Sequence, residues 1–149
     1  MRETIAQALK DALKAQDKLR ISTLRLVNAA IQDRDISNRG VGKDPVSDED
    51  ILQILAKMVK QREESAKAFE DGKRPELAEK ERAEIEVIRG FLPKQMDEAA
   101  VKQAVADAIA ETGAEGLRDM GRVMAVLKER FTGQMDFGKA GALVKASLQ

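Results

Sequence analysis

The stretch Gly133-Gln134-Met135-Asp136-Phe137-Gly138-Lys139-Ala140 sets two glycines five apart and follows them with a lysine. That spacing opens a phosphate-cradling loop, in which backbone N–H groups wrap a phosphate and the lysine reaches it. The same chemistry needs Ser or Thr after the lysine to hold magnesium, and Ala140 stands there. A second candidate is the acidic run Asp44-Pro45-Val46-Ser47-Asp48-Glu49-Asp50, whose carboxylates are ligands for a hard cation. It lacks the Asp-x-Asp-x-Asp-Gly register of a calcium loop, and carboxylates are what the first turn of a helix favours. Beyond these two stretches the chemical repertoire is thin. His, Cys, Trp and Tyr are all absent, which removes the commonest general base, the thiol nucleophile and the phenolic acid. No two carboxylates stand out as an acid/base couple. We therefore assign no catalytic residue, no metal ligand and no cofactor site.

Composition narrows the classes further. The chain has 149 residues, with 26 basic and 26 acidic side chains and no formal net charge. Proteins that coat nucleic acid through charge alone carry a basic excess, so any such contact here must come from a local patch. Without Cys there are no disulfides or thiolate metal sites. The first residues, MRETIAQALKDALKAQDK, are too charged for a signal peptide, and no stretch approaches 18 apolar residues. These features lead us to expect a soluble, cytoplasmic protein that makes no use of a membrane.

The elements that must position any site are helical. Apolar residues recur with a 3.6-residue period along nearly the whole chain, and no alternating β-branched run appears. The fold class is all-α. A first helix covers Thr4 to Ala15, with Ile5, Leu9, Ala12 and Leu13 on one stripe. Asp17 caps a second, to about Asn38, with one row at Leu24, Val27 and Ile31 and another at Leu19, Leu26 and Ala30. A helix apolar on two faces packs on two faces, so this one is expected to be central. Ser47 and Asp50 form a short-armed capping box for a third helix, burying Ile51, Ile54, Leu55, Met58, Val59 and Phe69. Gly72 ends it in the left-handed conformation and Pro75 opens the fourth, with Leu77, Ile85 and Ile88 inward. Lys60 with Glu64, and Lys80 with Glu84, lie four apart and mark wet faces. Pro93 biases Leu92 away from helix, making residues 90–96 a hinge between an N-terminal helical bundle, residues 1–92, and a three-helix unit, residues 93–149. In that unit Asp97 caps a helix to about Glu111, which Thr112-Gly113 stops; the others run from near Asp119 to Phe131 and from about Asp136 to Leu148.

This arrangement decides the glycine-lysine stretch. A phosphate loop follows a buried strand, but Met120, Val123, Met124, Leu127 and Phe131 share one helical arc of about 100°. Too few residues follow Ala140 to build the remainder of a nucleotide-binding sheet. Gly133 then reads as a helix stop, Asp136 as a cap and Gly138 as part of a first turn.

Two further stretches carry a family likeness. QREESAKAFEDGKRPELAEKERAEIEVIRGFLPKQM, preceded by LRLVNAAIQDRDI, resembles the YqeY-like protein family. TGAEGLRDMGRVMAVLKERF, followed by GKAGALVKASL, resembles the tail domain of the B subunit of glutamyl/aspartyl-tRNA amidotransferase. Both belong to one GatB/YqeY group, and the likeness spans almost the whole chain. It implies an N-terminal bundle with a small C-terminal helical unit, and partners among tRNA or the tRNA-amidation and aminoacylation machinery. It also brings a family label, carbon–nitrogen ligase with glutamine as amide donor. The catalytic domains behind that label are missing from this chain, so the label comes by name only. The family often runs Gly-Lys-Ala-Asp-Gly-Lys where this chain has Gly133-Gln134-Met135-Asp136-Phe137-Gly138-Lys139, which removes one positive charge beside the last helix.

Within that likeness the candidate RNA-binding residues are Arg118, Arg122, Lys128, Arg130, Lys139 and Lys145, against only Asp119, Glu129 and Asp136 in the same stretch. Arg118 and Arg122 lie opposite the apolar arc, beside Ala125. On the last helix Gly138, Ala142 and Ala146 form a small-residue face edged by Lys139 and Lys145, open to a phosphate backbone. The same pattern serves a solvated helix face, since Ala is the best helix former and Lys the usual wet residue. All four Phe lie on or beside apolar stripes, so recognition would be of shape and phosphate, without base stacking. The expectation is a non-catalytic tRNA-associated module; the alternative is a protein-interaction adaptor that binds no RNA.

Overall fold

Four carboxylate or hydroxyl side chains start helices in the computed structural model, which describes residues 1–149. Asp17 Oδ1 accepts from Arg20 N at 3.2 Å, and Asp97 Oδ1 from Ala100 N at 2.7 Å. Asp136 Oδ1 accepts from Gly138 N at 2.8 Å. Ser47 and Asp50 bond reciprocally, Asp50 N to Ser47 Oγ at 3.2 Å and Ser47 N to Asp50 Oδ2 at 3.1 Å. Each such cap satisfies a backbone donor that the helix leaves orphaned, which is worth about 1 kcal/mol. The chain is all-α: α1 Arg2–Ala15, α2 Lys18–Gly40, α3 Asp48–Asp71, α4 Pro75–Arg89, α5 Glu98–Thr112, α6 Met120–Phe131 and α7 Phe137–Leu148, with one 3₁₀ turn at Leu117–Asp119 before α6. No helix is long and apolar enough to cross a membrane.

The chain gathers into two compact units, Met1–Leu92 and Pro93–Gln149. In the first, α3 packs along α4, while α2 touches α1, α3 and α4. Ile5, Leu24, Val27, Ile51, Leu55 and Ile88 are completely buried there. Each such side chain removed from water contributes roughly 1.5–3 kcal/mol. Between α3 and α4 sits a buried ion pair, Arg62 Nε to Glu84 Oε2 at 2.9 Å. Asp35 on α2 accepts from Arg2 Nη2 at 2.7 Å and from Val46 N at 2.8 Å, tying the start of α1 and the loop before α3 to the middle helix. In the second unit α5, α6 and α7 contact one another pairwise around Val123, Leu127, Ala140 and Val144, all fully buried.

Four sequence expectations are corrected here. Gly72 has φ −83°, and it is Lys73, at φ 60°, that takes the left-handed position after α3. On α2 Leu24, Val27 and Ile31 are interior and Leu19 and Ala30 of the second row are half-buried against the same core, whereas Leu26 of that row is 48% exposed, as is Ile36 further along at 65%. Leu13, placed on the stripe of α1, is likewise exposed. Apolar periodicity identifies a face that could be covered, but it does not supply the neighbour that covers it. Glu84 belongs to the buried pair with Arg62 and not to a wet face shared with Lys80.

Candidate nucleic-acid interface

Gly133 and Asp136 set the entry to α7. Gly133 has φ 80°, a conformation that costs a side-chain-bearing residue about 1 kcal/mol or more, and it lets the chain turn directly after α6. The Asp136 cap then launches α7 so that Phe137, Leu143, Val144 and Leu148 face the core of the unit. Gly138, Ala142 and Ala146 fall on the opposite, exposed side, with Lys139 and Lys145 also exposed at its edges. Gly141 lies against α6, where a Cβ would meet Met120 Cε at 3.6 Å and Met124 Cε at 3.9 Å.

The six basic candidates divide by how their charge is used. Arg130 makes a two-pronged bridge to Glu111 on α5, Nη1 to Oε2 at 2.6 Å and Nη2 to Oε1 at 2.5 Å. This hydrogen bond holds the Glu111 carboxyl below its usual range and raises the Arg130 guanidinium. Arg122 Nη2 donates to Asp119 Oδ1 at 2.7 Å. The Asp119 carboxyl is held low first by the Glu115 N–H, 3.0 Å away, and then by Arg122. Arg118, Lys128, Lys139 and Lys145 are exposed and make no ion pair. Two of the six charges are thus already answered within the protein, and four remain turned to solvent. Of those four, Lys139 and Lys145 edge the small-residue face of α7, while Arg118 and Lys128 belong to the 3₁₀ turn and α6.

One feature of this unit is not apparent from local sequence patterns. The tripeptide Gln-Met-Asp occurs twice, at Gln95-Met96-Asp97 before α5 and at Gln134-Met135-Asp136 before α7. The two copies are joined, Met96 N donating to Gln134 O at 2.9 Å and Gln95 Nε2 to Gly133 O at 2.6 Å. Between the starts of α5 and α7 they leave a groove of about 600 Å³, floored by Met96, Val101, Met135 and Leu143, with Lys139 and Ala142 on its α7 side. The repeated tripeptide is its visible sequence signal. Neither copy looks notable alone, because each Asp is already explained as a cap. No cluster of three or more carboxylates is placed to hold a metal ion.

Comparison with known proteins follows the same lines. Residues 2–148 match the family model described as Yqey-like protein. The chain is 28% identical over 130 residues to Altered inheritance of mitochondria protein 41, mitochondrial, of Pyrenophora tritici-repentis, a match covering 82% of this chain and 68% of the relative. It is 32% identical over 94 residues to an uncharacterized protein of Schizosaccharomyces pombe, covering 63% of this chain and 73% of that one. To the Kluyveromyces lactis protein that shares the first relative's name it is 36% identical over 88 residues, covering 58% of this chain and 45% of the relative. The chain therefore spans less than half of the K. lactis relative's length. These names overturn the expectation of a cytoplasmic protein, since the relatives that carry them are called mitochondrial. That expectation rested on a charged N-terminus and the lack of a long apolar stretch, and neither feature distinguishes cytosol from an organelle's interior.

Proposed function

The chain belongs to the YqeY-like protein family, and on that premise we propose that it is a non-catalytic helical module that associates with folded RNA of the tRNA class. The observation that carries this is the exposed face of α7, where Gly138, Ala142 and Ala146 leave a shallow surface between two lysines that make no ion pair. Small side chains let a phosphate backbone come close, and uncommitted ammonium groups at the edges supply the counter-charge. Arg122 and Arg130 are paired with Asp119 and Glu111, so their charge is in part answered within the unit. In this proposal the carbon–nitrogen ligase label is inherited by name only.

Titration of the full chain with unfractionated tRNA at low and moderate salt tests the proposal. With three or four phosphate contacts, log affinity falls against log salt with a slope of roughly −2 to −4. Changing Lys128, Lys139 and Lys145 to Ala together is expected to flatten that slope and weaken binding. Equal affinity of the two proteins, or no binding at low salt, sinks it. In the same proposal residues 1–92 and 93–149 are separate domains joined by a hinge at residues 90–96, so limited proteolysis cuts there first and leaves both pieces helical.

A second reading rests on α2, whose Leu26 and Ile36 stand open to solvent. Exposed aliphatic side chains on one helix fit an adaptor that docks a protein partner. A partner captured on the full chain that survives nuclease, and is lost in Leu26→Glu, favours it.

A further inference from the structure

The groove between the two Gln-Met-Asp copies is continuous with the α7 face assigned above to RNA, because Lys139 and Ala142 belong to both. Its volume, about 600 Å³, lies within the range of small-ligand sites. Its floor is aliphatic and thioether, and methionine sulfur makes favourable contacts with aromatic rings. Its charges are unequal in availability. Asp136 is engaged as the α7 cap, and Glu98 faces Lys102 at 3.6 Å. Lys139 makes no ion pair and is the only cation lining the groove. The pattern is an apolar slot with a single uncommitted positive charge at its edge. That matches one nucleotide, whose ring is planar and apolar on both faces and whose phosphate is anionic.

We propose that this groove takes one unstacked nucleobase of the bound RNA, with a flanking phosphate on Lys139; the inference rests on the RNA-associated function proposed above. Gln95 adds selectivity. Its Nε2 donates to Gly133 O at 2.6 Å and to Pro93 O at 3.0 Å, so both amide hydrogens are spent. Oε1 makes no hydrogen bond within the protein and remains an acceptor, and an acceptor favours bases bearing an exocyclic amino group, adenine, cytosine and guanine, over uracil, which has none. The absence of exposed aromatic platforms does not oppose this, because the methionines provide the ring contact.

The six methionines make the test direct. In full-length protein carrying ¹³C-methyl methionine, the Met96 and Met135 signals are expected to shift saturably on addition of unfractionated tRNA, with Met58 in the first unit unmoved. AMP and CMP at millimolar concentration should move the same two signals more than UMP does. Ala142→Phe, on the exposed side of α7, fills the groove mouth without entering the core and should weaken tRNA binding by a few-fold to about tenfold, the range of a thioether–ring contact. If anisotropy shows tRNA bound while Met96 and Met135 stay still, the groove assignment is overturned and the RNA reading stands. If no tRNA binds at low salt, both fall.

Discussion

Arg62 Nε lies 2.9 Å from Glu84 Oε2, and the two side chains retain only 14% and 11% of their exposure. The arginine also donates to Met58 O at 3.4 Å, so the cation is held on α3 while the anion comes from α4. A buried pair of this kind adds little net stability against an apolar pair of similar shape, yet losing one partner strands the other.

Glu84→Ala should therefore destabilise the protein by about 3 kcal/mol or more, because Arg62 is left buried and uncompensated. The double variant Arg62→Met, Glu84→Leu should recover most of that loss. Urea unfolding followed by circular dichroism measures both. A double variant as weak as Glu84→Ala alone would show that the pair contributes stability outright.

Glu111 and Arg130 give the second unit an acid-sensitive contact. The guanidinium hydrogen bond holds the Glu111 carboxyl below its ordinary 4.5 in the folded state, so the unfolded chain binds its proton first as pH drops. The contribution is complete above the ordinary value and is lost as pH falls through the lowered one. Asp119 follows the same sign below its ordinary 3.8. Thermal midpoints measured from pH ~6 down to ~3 should fall less steeply for Glu111→Gln than for the unaltered chain. Identical acid limbs would contradict the assignment.

The end of α3 turns on Lys73, whose φ of 60° is held by Lys73 N to Glu70 O at 3.0 Å and Arg74 N to Phe69 O at 2.7 Å. The glycine that could adopt this conformation freely, Gly72, sits one residue early in an ordinary right-handed one. Lys73→Gly should therefore stabilise the first unit by about 0.5–1 kcal/mol, read from the urea midpoint. A loss of stability would mean that the lysine side chain does more here than tolerate strain.

What the sequence made legible follows from the range of the interactions involved. Caps at Asp17, Ser47, Asp97 and Asp136 act over three residues or fewer, and each was readable from its neighbours. The stop at Gly113, φ 66°, was equally local. The buried stripe of α6 followed from one periodicity, because a helix with a single apolar face has only one way to bury it. Lys73 was not legible, since the preference of glycine for positive φ is only about 1 kcal/mol and the turn geometry after Phe69 overrides it. The same holds for Arg130: its partner Glu111 is 19 residues away, and no spacing rule connects them. The groove needed two distant copies of one tripeptide to be seen as neighbours, and the bonds from Met96 N to Gln134 O and from Gln95 Nε2 to Gly133 O establish that.

The division between spent and free charges predicts how RNA affinity responds to paired deletions. Glu111→Ala with Arg130→Ala removes one charge of each sign, leaving the net charge as it was. Lys139→Ala with Lys145→Ala removes two cations that no carboxylate answers. Every phosphate that goes unneutralised lowers the salt slope by about 1, so the lysine pair should flatten it by about 2 and weaken binding at every salt concentration. The Glu111, Arg130 pair should leave the slope unchanged while lowering the thermal midpoint. Filter binding of tRNA across a salt series distinguishes the two. Should the Glu111, Arg130 pair flatten the slope instead, the guanidinium on α6 would be an RNA contact that releases its carboxylate on binding, and the boundary of the interface would move from α7 to the α5–α6 face.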